Sequence, residues 1–209
     1  MYHLKKIIIL IIGISLLSLS ACLNLKKQPI NSIEYYTLEY DPPLLTGMDK
    51  LPYAVKVERF SVAPTYDTTQ IIYREKSFTR NAYVYHRWRV NPGDMVTHFL
   101  NRDIRSSGLF QAAIPYESKS KSSFILEGEV EEFFEWDTRD RWDAVLSISI
   151  SLMAEDEEKI NNRVIFQKSY RVTEACKRRH PAALAEAMSL GMSLISQAII
   201  KDIHAHLSN

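Results

Sequence analysis

Apolar positions recur at two different spacings along this chain, and the places where the spacing changes mark out its elements. Over residues 53–62, Val55, Val57, Phe60 and Val62 alternate with polar partners, and the register slips at Arg59. A period of two predicts a half-buried strand, and the slip predicts a bulge. Runs 34–40, 70–74 and 82–88 are short and rich in aromatic and β-favouring residues, and the polar stretch 75–81 between the last two reads as a hairpin loop. Asn91-Pro92-Gly93-Asp94 opens a different pattern, with Asn91 as N-cap, Pro92 at the first helical position and Asp94 where the helix dipole favours an acid. Met95, Val96, Phe99, Leu100 and Ile104 then share one face, so a helix is expected to about Ser107, closed by Gly108.

Alternation returns at 123–136. Straight counting puts Ile125, Glu127, Glu129, Glu131 and Phe133 on one side and Leu126, Gly128, Val130, Glu132, Phe134 and Trp136 on the other, so the acidic side must be wet. After the charged turn 137–141, residues 144–153 set Leu146, Ile148, Ile150 and Leu152 against a serine row, and 164–172 offers one more strand. These three predict an antiparallel meander with one buried face. Residues 181–207 read as a long helix whose broad apolar face includes Leu184, Met188, Leu194 and Ile199, with Ala183, Ala187 and Gly191 allowing close approach. The expected fold is a single α+β domain: a mainly antiparallel sheet with two helices packed on one face.

The first residues follow neither period. Lys5 and Lys6 precede an uncharged apolar run from 7 to 19, the n-region and h-region of a secretory signal. At ~1.5 Å rise that run is about 20 Å long, short of the roughly 30 Å core a spanning helix crosses. Leu19-Ser20-Ala21-Cys22 closes it and resembles the lipobox of bacterial lipoproteins. That resemblance implies cleavage before Cys22 and acylation of Cys22, a covalent lipid anchor that holds once more than one chain is present. The expected organisation is a signal peptide at 1–21, a lipidated tether at 22–33 and a periplasmic domain at 34–209. Leu23 stands where enterobacterial lipoproteins retained at the inner membrane carry aspartate, which points to the outer membrane.

Composition narrows the partners. The chain has 26 basic and 25 acidic residues, and removing Lys5 and Lys6 with the signal leaves 24 against 25. A near-neutral domain gives no hint of a nucleic-acid partner. Cys22 and Cys176 are the two cysteines, so lipidation of the first leaves Cys176 a free, buried thiol. No nucleophile elbow, zinc-protease helix or phosphate-cradling glycine loop is present, so no enzymatic activity, metal or cofactor is expected beyond the lipid on Cys22. His86, His98, His180, His204 and His206 lack metal-ligand spacing, and Asp137, Asp140 and Asp143 are interleaved with arginines in a hairpin tip rather than a calcium loop. Lys177-Arg178-Arg179 is a basic cluster suited to anionic headgroups or an acidic partner.

YYTL at 35–38, VKVERFSVAPTYD at 55–67, IIYRE at 71–75, YVYHRWRVNPGDMV at 83–96, SSGLF at 106–110 and ILEGEVEEFFEWD at 125–137 stand in a familiar order. With the lipobox in front, this set resembles the ABC-type transport auxiliary lipoproteins, the PqiC-like family that accompanies lipid-transport systems built on MCE-domain proteins. The resemblance implies a non-enzymatic accessory on the periplasmic face of the outer membrane, working with an MCE protein and ABC transporter subunits to move phospholipids or other hydrophobic molecules. It places Tyr66, Tyr73, Arg74, Tyr85 and Trp88 at family-typical positions, and with Lys177, Arg178 and Arg179 these make up the expected partner or lipid interface. Exposed aromatics further suggest association into a homo-oligomer. The alternative is a structural lipoprotein that assists outer-membrane assembly, through lipopolysaccharide or β-barrel insertion.

Overall fold

The computed structural model of the protein describes Tyr2, residues 32–157 and residues 163–208. The signal segment, Cys22 and most of the tether lie outside the described residues. Among the described residues the fold is α+β, a nine-stranded sheet with two helices. In chain order the elements are β1 (Glu34–Tyr36), β2 (Leu51–Val57), β3 (Ser61–Val62), β4 (Gln70–Arg74), β5 (Asn81–Trp88), α1 (Pro92–Ser107), β6 (Phe110–Pro115), β7 (Phe124–Asp137), β8 (Trp142–Ala154), β9 (Val164–Ala175) and α2 (Pro181–Leu207).

Strand β7 is the spine. Its 14 residues span about 45 Å, and one edge pairs with β8 from Phe124↔Ala154 to Asp137↔Trp142. Its other edge serves three short strands in turn, all parallel to it: β2 opposite Phe124–Leu126, β3 opposite Glu129–Val130, and β4 opposite Glu135–Trp136. The expected meander β7–β8–β9 is antiparallel throughout. Beyond it the sheet is mixed, since β1 pairs with β5 and β6 with β2 in parallel, while β4 and β5 form an antiparallel hairpin. The expected strand 53–62 divides into β2 and β3 at the slip around Arg59. Strand β6 has no counterpart in the sequence reading.

A bulge changes which faces β7 presents. Val130 faces Ile148 and Glu132 faces Ser147, so Glu131 is an added residue and every side chain beyond it changes sides. The expectation that Phe133 sits with the acids is therefore corrected. Phe133 joins Leu126 and Val130 on the buried face, Glu132 joins Glu127 and Glu129 on the opposite one, and Glu135 is carried into the core.

Both helices supply the core's second layer. Helix α1 packs against β6, β7, β2 and β3, helix α2 against β8 and β9, and the two touch each other. Leu100 and Ile104 from α1 and Met188, Ile195 and Ile199 from α2 are buried beside Leu146, Ile148 and Leu152. Helix α2 is long and apolar enough to cross a membrane by composition, yet 67% of its most apolar window is buried inside the fold. Leu194, expected on the apolar face, is exposed together with Leu190. Tyr40 and Arg102 fasten the β1–β2 connection to α1, both bonded to the buried Asp103 carboxylate at 2.8 Å.

The start of α1 follows its sequence signals. Asn91 Oδ1 accepts from Gly93 N at 2.9 Å, Asn91 Nδ2 donates to Asp67 at 2.7 Å, and Arg59 braces Asp94 through Nε at 2.6 Å. Gly108 ends the helix at φ 67°, the left-handed cap that a residue without Cβ adopts freely. Asn91→Ala removes the cap and the tie to Asp67, and a loss of about 1 kcal/mol is expected, read as a lower urea midpoint with unchanged slope.

Candidate functional site

Folding does not bring all eight expected interface residues to one surface. Trp88, at the end of β5, is 1% exposed and meets Phe133 edge-on at 5.1 Å between ring centroids. Tyr66 is 5% exposed, stacked on Phe134 at 5.8 Å, and its hydroxyl accepts from Arg80 Nε at 3.2 Å. Burial therefore removes both from any surface, because their rings fill the two faces of β7. Tyr85, on β5, is 44% exposed. Tyr73 and Arg74 lie at the end of β4, Tyr73 against Tyr83 at 4.9 Å and the Arg74 guanidinium over the Trp136 ring at 4.5 Å. Arg141 also lies 4.5 Å from that ring, so one indole joins the end of β4 to the β7–β8 tip.

The basic cluster sits in the β9–α2 loop and is partly engaged. Lys177 pairs with Glu186 of α2. Arg179 pairs with Asp137 at 3.2 Å and donates to the Thr138 and Arg139 carbonyls, fastening the loop to the β7–β8 tip. Arg178 is exposed. Two of the three aspartates of that tip are held by arginine, Asp137 by Arg179 and Asp143 by Arg141. Among the described residues no group of three or more His, Cys, Asp or Glu is placed to hold a metal ion.

Behind the tip lies a buried polar network that the sequence reading passed over. Glu135 is fully buried, and its Oε1 accepts from the Tyr83 hydroxyl at 3.0 Å and from the Trp142 indole N–H. Its Oε2 is buried without a hydrogen-bond partner. Burial pushes the Glu135 carboxyl above the usual carboxylate range, although the two donors pull it back. The free Cys176 thiol is half-buried and pushed up to about 12, chiefly by desolvation and then by Glu135 and Asp143. A thiol so raised is a poor nucleophile.

Glu135 carries a pH prediction. Its pKa is higher folded than unfolded, so the stability it contributes is full below the unfolded carboxylate range and is lost as pH rises through the folded value. Urea midpoints from about pH 4 to about pH 8 are expected to fall less steeply for Glu135→Gln than for the natural chain. The amide keeps an acceptor for Tyr83 and Trp142 and has no charge to desolvate. Parallel curves would mean that Glu135 does not titrate in this window.

The opposite, polar side of the meander forms an open depression of about 760 Å³, lined by Glu127 and Glu129 with Ser149, Ser151, Ser169 and Gln167. Glu132, the third carboxylate of this face, is bound by Arg171 at 2.6 Å. A lone aromatic stands apart from all of this. Phe78, at the tip of the β4–β5 hairpin, is fully exposed and has φ 65°. It escaped the sequence reading because it lies inside a polar loop, and a single phenylalanine between Lys76 and Arg80 was the available signal.

The fold and these surfaces can be set beside known proteins. Over 83% of its length the chain superposes on 95% of protein XCC0632 from Xanthomonas campestris, with TM-score 0.75 and 16% identity. A second solved protein, covered over 99% of its chain, gives TM-score 0.63 at 14% identity. Hypothetical protein CT253 from Chlamydia trachomatis, covered over its whole chain, gives 0.51 at 10%. At such identities these likenesses show a shared fold. No curated protein sequence matches the chain. The family model for the ABC-type transport auxiliary lipoprotein component matches residues 36–200, from the end of β1 to within the last turns of α2. By a match that takes in both helices and almost the whole sheet, the chain belongs to the ABC-type transport auxiliary lipoprotein family.

Proposed function

We propose that the protein is a periplasmic lipoprotein, anchored in the outer membrane through acylated Cys22, that serves as a non-enzymatic accessory of an MCE-domain protein and its ABC transporter in moving phospholipids or other hydrophobic molecules. The observation that carries this reading is the family match over residues 36–200 with the lipobox Leu19-Ser20-Ala21-Cys22 in front of it. The protein's own part is mechanical: a rigid sheet-and-helix body held at the membrane, presenting open surfaces to partners. No cofactor beyond the covalent lipid enters the reading. Docking to an oligomeric partner, or assembly of the domain with its own copies, adds avidity to a tethered body without new contacts in each copy.

The test is a mild-detergent pull-down of the full chain from its native membranes, with mass spectrometry of proteins and lipids and a Cys22→Ser control. The expected result is an MCE protein or ABC subunits, lost from the membrane fraction in the control. A β-barrel partner alone would overturn this reading in favour of outer-membrane assembly.

A further inference from the structure

Strand directions bring three separate segments to one end of the sheet. Strand β4 runs parallel to β7 and ends opposite Trp136, so the β4–β5 tip with Phe78 projects from the same end as the β7–β8 tip. Strand β9, two antiparallel steps from β7, runs in the same direction and ends with Ala175 opposite Asp143, which brings the Lys177-Arg178-Arg179 loop there too. Strand β1 runs parallel to β5 with Glu34 opposite His86. The chain before Glu34 therefore runs back in the direction of the start of β5 and the hairpin tip, from the level of His86.

This end has a distinct chemistry. Segments 75–80, 137–141 and 177–179 hold seven lysines and arginines against three acids, in a chain whose overall balance is near zero, and Lys76, Arg80, Arg139 and Arg178 among them stand outside the ion pairs of the described residues. At its apex Phe78 combines full exposure with a left-handed backbone conformation that disfavours a bulky side chain, so neither packing nor local geometry accounts for a phenylalanine there. An apolar ring among cations matches the boundary of an anionic bilayer, where acyl chains take the ring and headgroups take the charge. Reach is sufficient: residues 23–33 span up to about 40 Å when extended, against roughly 17 Å of strand between the levels of His86 and Asn81.

We propose that this end of the sheet is the membrane-facing surface of the protein, with Phe78 entering the headgroup–acyl boundary and the surrounding cations meeting anionic phospholipid headgroups. The proposal rests on the tethering reading above and adds an orientation to it. The opposite end, where the β1–β2 connection with exposed Leu44 lies, then faces away from the bilayer, toward the periplasmic partner.

The experiment uses the full lipidated chain in vesicles of phosphatidylcholine and phosphatidylglycerol, with brominated acyl chains as depth-sensitive quenchers. Phe78→Trp is compared with Leu44→Trp and with the natural chain, whose Trp88, Trp136 and Trp142 set the background. The added emission of Phe78→Trp is expected to be blue-shifted and quenched by bromolipid, and that of Leu44→Trp to be neither. Lys76→Gln with Arg178→Gln, at two exposed cations outside every ion pair among the described residues, should lower the docked-to-free ratio by roughly thirtyfold. A chain that floats with the vesicles while its Phe78→Trp emission stays unquenched overturns the orientation alone. If that emission instead shifts on adding partner protein, Phe78 belongs to a protein socket. A chain that fails to float overturns the tethering reading and the orientation with it.

Discussion

Gly128→Ala is expected to destabilise the domain by about 2–3 kcal/mol, although it adds a single methyl group. Gly128 lies in β7 on the helix-covered face, opposite Ile150. A Cβ built there meets the Ser149 carbonyl oxygen at 2.2 Å and the Phe60 ring at 2.5 Å. The ring can tilt, but the carbonyl belongs to the neighbouring strand and can move only if the β7–β8 ladder moves. Phe60 is held in turn by its backbone N–H, which donates to Thr97 Oγ1 at 2.9 Å, so strain at Gly128 passes to the first turns of α1. Urea unfolding of Gly128→Ala should show a lower midpoint, and adding Phe60→Leu should recover only part of the loss, because the carbonyl clash remains. Full recovery in the double variant would place the whole strain in the ring. Gly47 makes a useful contrast. Nothing lies within 4 Å of a Cβ built there, and alanine meets only the cost of φ 76°.

The same stretch of β7 shows where sequence reading reaches its limit. The alternation of 123–136 identifies a strand, but EVEEFFEW satisfies an alternating pattern in two registers, and only the ladder with β8 reveals Glu131 as the added residue. The helix starting at Pro92 was legible because its signals are local: an N-cap, a proline, an acid and a period of 3.6. The meander was legible because each of its strands carries a local pattern, and the four-residue turn 138–141 joins the first two. Parallel pairing of β2, β3 and β4 along β7 was not, because those partners are 62 to 69 residues apart in sequence and no local pattern encodes the choice. Strand β6 (FQAAIP) carries too little alternation to announce itself, and its pairing with β2 supplies what its composition lacks. The candidate site met the same limit. The resemblance placed Tyr66 and Trp88 in the expected interface, but tertiary packing turned both inward. The convergence of Phe78, the β7–β8 tip and the 177–179 loop depends on strand direction, which appears only once the sheet is assembled.

Trp88→Ala is expected to cost about 3–5 kcal/mol, the largest effect of any single substitution considered, and on a domain of ordinary stability this leaves a partly unfolded population at growth temperature. The indole closes the core where β5 gives way to α1, edge-on to Phe133, while its backbone N–H donates to Thr69 at 2.7 Å and its position pairs with Tyr36 of β1. Truncation would leave a cavity beneath three elements whose backbones are fixed by sheet pairing, so little collapse can offset it. Tyr85, three residues earlier on the same strand and half in solvent, should tolerate alanine within about 0.5 kcal/mol. The pair thus separates two meanings of an aromatic that the resemblance singled out. If Trp88 served a partner rather than the core, its alanine variant would unfold at the natural midpoint and lose only partner recovery. A core role predicts a fallen midpoint for Trp88→Ala, a smaller fall for Trp88→Phe, and full partner recovery by whatever fraction of Trp88→Phe remains folded. Tyr85→Ala then becomes the informative surface variant, because any partner it loses is lost from a folded domain.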